Sequence, residues 1–180
     1  VNRLKPILST LLISTAISVS LLSCSGKRQA ENGPVINYMD QALSATGSFL
    51  QRHPDAIITY KEDRADYKWF YEQGLMLNAL YEMYRESADP RYLDFMTANL
   101  DHYLDAEGNI ARYKYRDFNL DNIGPGRALI HLHRITGDPR YLKAADTLMT
   151  QLKHQPRTEE GGFWHKKIYP YQMWLDGLYM

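Results

Sequence analysis

Two aspartates carry the acid–base chemistry that this sequence could do. Asp176 sits in the stretch GGFWHKKIYPYQMWLDGLYM, residues 161–180, among Phe163, Trp164, His165, three tyrosines and Trp174. In a helix starting near Pro170 it would share a face with Gln172 and Met173, beside a stripe of Trp174 and Leu178. Apolar neighbours desolvate a carboxyl group, which favours its protonated form near neutral pH. The competing reading is an exposed aspartate on a helix surface. Asp121 lies in Leu120-Asp121-Asn122-Ile123-Gly124-Pro125-Gly126-Arg127, a loop entering a helix, where free amide hydrogens and the helix dipole favour the ionised form. It could equally be a plain N-cap. Two carboxyl groups driven toward opposite protonation states at one pocket rim are a signature of divided acid and base roles.

His165 could donate a hydrogen bond to Asp176 or to a sugar hydroxyl, or serve only in packing. Lys166, Lys167 and Arg127 could pair with a substrate carboxylate, Arg127 in bidentate fashion. The lysines more often solvate a surface and are not counted among the site residues. His131 and His133 are two apart in a helix and point in different directions, which excludes them as a metal pair on one face. No zinc, phosphate-loop or nucleophile-elbow pattern is present, and neither metal nor cofactor is expected.

The positioning elements follow from periodicity. Helices are expected at about 35–52, 67–87, 90–104, 123–136, 139–154 and from 170 to the end. Two segments repeat: Ala79 to Leu93 and Ala128 to Leu142, each containing Asp-Pro-Arg-Tyr-Leu. In both, Asp89 or Asp138 caps a new helix and Pro90 or Pro139 fits its first turn. Gly137 supplies a left-handed exit from the helix before it. These turns are tight, whereas the connections 53–66, 105–122 and 155–169 are long and precede the helices that open with Trp69 and Tyr71, with Asp121 to Arg127, and with Tyr171 to Asp176. In an up-down array all three long loops fall at one end, which becomes the binding end. An α/α toroid makes a pocket from this arrangement. The period and small-residue signature of a tetratricopeptide solenoid are missing.

Composition narrows the partners. The 21 basic and 21 acidic residues cancel, so no broad field attracts nucleic acid. Fourteen tyrosines and three tryptophans offer flat faces on which sugars stack, although most are read as core. At the start, Arg3 and Lys5 precede an apolar run from Ile7 to Leu22 with the form of a secretory signal. It ends at Leu21-Leu22-Ser23-Cys24, which looks like a lipobox, and Cys24 is the single cysteine of the chain. The expected organisation is therefore a lipoprotein signal at 1–24 with Cys24 acylated, a polar tether at 25–33, and a folded region at 34–180, placed in a bacterial envelope.

Three motifs, Leu120 to Arg127, Gly161 to Lys166, and Tyr169 to Met180, together resemble the unsaturated rhamnogalacturonyl hydrolases of glycoside hydrolase family 105, relatives of the family 88 unsaturated glucuronyl hydrolases. Trp69-Phe70-Tyr71-Glu72-Gln73-Gly74 also fits that family's first inner helix. The resemblance implies an all-α fold, the N-terminal half of an (α/α)6 barrel, truncated after Met180 and inactive or nearly so by itself. It implies an enzyme that removes a 4,5-unsaturated uronic acid from the non-reducing end of lyase-generated pectin oligosaccharides by hydrating the C4=C5 bond. Asp176 matches the proton donor and Asp121 the second carboxylate. His165 and Trp174 match pocket positions, with Trp69 or Tyr71 as a further wall. A carbohydrate-binding lipoprotein without catalysis, or another toroid enzyme such as an epimerase, are the alternatives.

Overall fold

The computed structural model describes residues 37–58 and 68–180. The signal, the lipobox Cys24 and the tether fall outside the described residues. Among the described residues six α-helices make up the frame: α1 (Tyr38–Arg52), α2 (Tyr71–Ser87), α3 (Pro90–Tyr103), α4 (Gly126–Thr136), α5 (Pro139–His154) and the short α6 (Leu175–Tyr179). Two 3-10 segments, Tyr115–Asp117 and Leu120–Ile123, interrupt the loop between α3 and α4. No strand occurs among the described residues, only isolated bridges at Leu104–Ile110 and Arg157–Phe163. Among those residues, no helix is long and apolar enough to cross a membrane.

The Asp-Pro repeat works as its chemistry dictates. Asp89 accepts from the Arg91 backbone N–H at 3.0 Å and Asp138 from that of Arg140 at 2.8 Å. Each following arginine folds back onto the capping carboxylate, at 2.6 and 2.7 Å. That contact holds both Asp89 and Asp138 below the usual carboxylate range. The preceding helices end in left-handed residues, Gly137 at φ 74° and Ala88 at φ 54°. Ala88 thus makes the same turn without glycine's freedom.

Helix α2 packs on α3 and α4, and α4 on α5. Leu77 and Leu80 of α2, Met96 and Leu100 of α3, and Leu129 and Leu132 of α4 are wholly buried. Each such side chain contributes roughly 1.5–3 kcal/mol relative to exposure. These are the helical hairpins of an α/α toroid, and the long loops before α4 and after α5 meet at one end.

That end is held by buried amides rather than by regular structure. Gln155 Nε2 donates to the carbonyls of Phe118 (2.6 Å) and Trp164 (2.8 Å), one from each long loop. Gln151 Nε2 donates to the Asn119 carbonyl at 3.1 Å, and its Oε1 accepts from Tyr113 Oη at 2.7 Å. Both glutamines are buried, so each broken bond would strand a polar group away from water. Gly74 brings the first turn of α2 against Gly124 and Pro125, where a Cβ would collide with backbone atoms.

The last helix departs from expectation. It starts at Leu175, not near Pro170, and residues 170–174 form an irregular strap. Tyr171 takes φ 60°, and the Gln172 carbonyl accepts from the His165 N–H at 2.7 Å. A bond back to the loop residue His165 therefore replaces the helical partner that the Gln172 carbonyl would otherwise find.

Candidate active site

The 3-10 turn Leu120–Ile123 begins from Asn119, whose side chain accepts from the Asp121 N–H at 3.1 Å. Asn119 is therefore the cap, and the Asp121 carboxylate is left for other work. Trp69 holds this turn from behind, donating Nε1–H to the Asn122 carbonyl at 2.8 Å. The Leu120 N–H donates to the His165 carbonyl at 3.0 Å, which joins the two long loops at the site itself.

Asp121 is buried, and Lys166 Nζ lies 2.6 Å from its Oδ2. His165, 1% exposed, places Nε2 at 3.4 Å from Asp121 Oδ1 and Nδ1 at 3.9 Å from Asp176 Oδ1. Burial holds the imidazole below its ordinary basicity, against the opposing pull of Asp121 and Asp176, so it is neutral near pH 7. A neutral ring carries one proton, and the Asp121 carboxylate draws it to Nε2. Nδ1 is left as an acceptor, and it is buried without a hydrogen-bond partner. The group facing it is Asp176. A protonated Asp176 could donate there, whereas an ionised one would face a lone pair.

Stacked rings keep the imidazole in place. Trp174 lies on His165 with centroids 4.2 Å apart and planes 9° apart, and Tyr169 stacks on Trp174 at 5.2 Å. Gly177 packs near the ring's edge, where a Cβ would approach His165 Nδ1 at 3.4 Å and Leu120 at 3.1 Å. Asp121, His165 and Asp176 present one donor atom each within 4.8 Å of one another. A cation there would compete with Lys166 for Asp121.

The sequence expectations meet the geometry unevenly. Asp121, His165, Trp174 and Asp176 come together. The desolvated niche expected around Asp176 is not found in this chain, because 56% of its side chain is exposed. Its neighbours Leu175 and Leu178 are 87% and 72% exposed, so nothing covers that side of α6. The helix that would have aligned Asp176 with Gln172 and Met173 does not form. Trp69 is 2% exposed and braces the Asp121 turn, with its ring edge on Tyr103 at 5.6 Å. Tyr71 is 37% exposed at the start of α2, its ring 5.0 Å from Phe70. Arg127 donates to the Tyr179 carbonyl at 3.0 Å and lies over that ring, so it fastens α6. Lys166 is the residue that sequence reasoning passed over. Adjacent lysines look alike until the fold turns one toward a buried carboxylate.

A model of the family described as Glycosyl Hydrolase Family 88 matches residues 42–180. The unsaturated rhamnogalacturonyl hydrolase YesR of Bacillus subtilis (strain 168) is 26% identical over 121 residues, covering 64% of this chain and 33% of that relative. A solved structure of a glycoside hydrolase from family 105 of C. acetobutylicum ATCC 824 superposes with a TM-score of 0.63 at 37% identity, over 78% of this chain and 35% of the other. The chain spans about a third of the length of these relatives.

Proposed function

Because this chain belongs to glycosyl hydrolase family 88, we propose that it carries the acid-bearing part of an enzyme that removes a 4,5-unsaturated uronic acid from the non-reducing end of lyase-generated rhamnogalacturonan oligosaccharides. The observation that carries the proposal is the buried His165 set between two carboxyl groups, with its unpartnered Nδ1 toward Asp176.

In this reading Asp176, as the acid, protonates C4 of the enol ether. The positive charge that develops at C5 is met by water, and the Asp176 carboxylate takes a proton from that water as the C5–O bond forms. The resulting hemiketal opens and releases the sugar at C1. One carboxyl group gives and recovers one proton, so no nucleophile is needed on the far face of the ring, unlike the paired-carboxylate glycosidases. Nδ1 of His165 faces the Asp176 carboxyl group at 3.9 Å. Asp121, paired with Lys166, holds the imidazole from behind, and Trp174, 40% exposed, borders the site.

Attachment to the bacterial envelope through Cys24 belongs to the same proposal. The apolar run Ile7–Leu22 and the solitary cysteine support it. A non-catalytic sugar-binding role is the rival reading, and the open position of Asp176 favours it. Asp176→Asn in the full-length protein separates the two. The proposal expects loss of the substrate's double-bond ultraviolet absorbance to slow at least 1,000-fold, roughly the scale of a positioned general acid, while calorimetric binding of substrate persists. Wild-type protein that binds the unsaturated disaccharide but never consumes its double bond would establish the rival.

A further inference from the structure

At the acid–base cluster one enclosed atom, His165 Nδ1, has no hydrogen-bond partner, in a residue that is 1% exposed. A buried ring nitrogen left in this way has lost its water and gained no bond in exchange, so the groups around it indicate what it can take. At the other edge of the ring, Nε2 stands 3.4 Å from the Asp121 carboxylate, and Lys166 holds that carboxylate at 2.6 Å. Trp174 stacks on the imidazole at 4.2 Å and fixes its plane, so the direction of Nδ1 is fixed as well. In front of Nδ1, at 3.9 Å, is Oδ1 of Asp176.

Proteins offer histidine to a metal in this arrangement. A ligating imidazole almost always turns its second nitrogen toward a carboxylate or carbonyl, which orients the ring and strengthens it as a ligand. Asp121 stands at that place, and a cation on the Nδ1 side leaves its pair with Lys166 intact. Asp176 supplies an anionic oxygen on the side that water reaches, since 56% of its side chain is exposed and Leu175 and Leu178 beside it are open. Its Oδ1 accepts from the Gly177 N–H at 2.9 Å, which anchors the carboxylate and leaves a lone pair free. Gly177 also keeps the space clear, because a Cβ there would stand 3.4 Å from Nδ1.

The distances suit a small cation. Zinc bonds to histidine nitrogen and carboxylate oxygen at about 2.0–2.2 Å, which sets two ligands of a tetrahedral ion about 3.4 Å apart. Asp176 needs to close by about 0.5 Å to meet that spacing, a small rotation for an exposed side chain on a five-residue helix. Water fills the remaining positions. One imidazole with one carboxylate suits zinc and its neighbours, whereas magnesium and calcium prefer sets of oxygens.

We propose that His165 Nδ1 and the Asp176 carboxylate form an inhibitory site for a divalent transition-metal cation, taking Zn²⁺ in preference to Mg²⁺ or Ca²⁺. The coordination stands on the geometry alone. The inhibition rests on the proposed function, in which a carboxylate bound to a cation has no proton to give to C4. Substrate and cation then exclude each other.

The test uses the full-length protein, stripped of metal by a chelator, with Zn²⁺ alone as the probe in a calorimetric titration. The chain has six histidines, so the site is read as the difference between wild type and variant. Asp176→Asn changes an exposed side chain and carries the comparison whether or not the buried His165→Gln folds. It should weaken the tightest Zn²⁺ binding by at least the roughly 10- to 100-fold that loss of an outer-shell partner costs, and Asp121→Asn, which removes such a partner, by about that factor. Mg²⁺ and Ca²⁺ should bind wild type and Asp176→Asn alike. In turnover, free Zn²⁺ should raise the apparent KM for an unsaturated disaccharide with kcat unchanged, and the chelator should reverse this. Coincident Zn²⁺ titrations of wild type and Asp176→Asn, or turnover that Zn²⁺ leaves unchanged or raises, would overturn the proposal. If the metal-free wild type never consumes the double bond, the catalytic reading fails instead, and the titrations still decide whether the cation site exists.

Discussion

Replacing Lys166 with methionine tests the site's electrostatics most directly. Its ammonium stands 2.6 Å from an Asp121 carboxylate whose side chain is 4% exposed, while the lysine side chain is 19% exposed. At an effective dielectric of 20 the attraction at that distance is about 6 kcal/mol, much of it offset by the desolvation of both charges. Removing the lysine alone strands a buried carboxylate with only a neutral imidazole nearby. Losing one partner of a buried pair typically costs about 3–5 kcal/mol. The lower end, about 3 kcal/mol, is expected here because water can enter along the path the lysine leaves. Asp121→Asn should cost less, about 1–2 kcal/mol, since the lysine can swing to solvent and the amide keeps some hydrogen bonding. The double variant should then be about 2 kcal/mol more stable than the sum of the single losses predicts. Urea unfolding followed by tryptophan fluorescence reads all four proteins, with Trp69 and Trp174 as reporters beside the site. Single effects that add to within 0.5 kcal/mol, or a Lys166→Met loss under 1 kcal/mol, would show that the pair is not energetically coupled and that Asp121 reaches water by another route.

Two further outcomes follow from the same geometry. Gly74→Ala should destabilise by about 3 kcal/mol or more, because the added methyl meets the backbone of Gly124 and Pro125 with no flexible group to yield; thermal unfolding checks this, and near-wild-type stability would mean that α2 does not approach the Asp121 turn so closely. His165 and His131 both have basicities lowered by burial, so between their folded pKa values and about 6.5, the ordinary value, the unfolded chain binds more protons than the folded one. Stability should be full above that upper limit and fall as the pH drops through it, and His165→Gln should flatten the decline in a melting-temperature series.

Much of this protein is local and therefore legible. A capping aspartate acts within three residues, a proline acts on its own φ, and an apolar stripe repeats every turn. The ends of α3 and α5, the paired Asp-Pro turns and the meeting of the loops before α4 and after α5 could thus be read from residue order, as could the motifs that carry the family likeness. The final helix could not. Tyr169 to Trp174 have a helical pattern, but the bond between His165 and the Gln172 carbonyl competes for that backbone and draws it into a strap.

The site divides along the same line. Residue types and motif spacing determined that two aspartates, a histidine and a tryptophan would be the candidates. Only the tertiary structure decided that Asp121 is the enclosed carboxylate, that Lys166 and not Lys167 neutralises it, that Trp69 braces from behind, and that Asp176 stands open to water. Burial and ion pairing depend on groups brought together from distant parts of the chain, and their energies have no counterpart within a single turn of sequence.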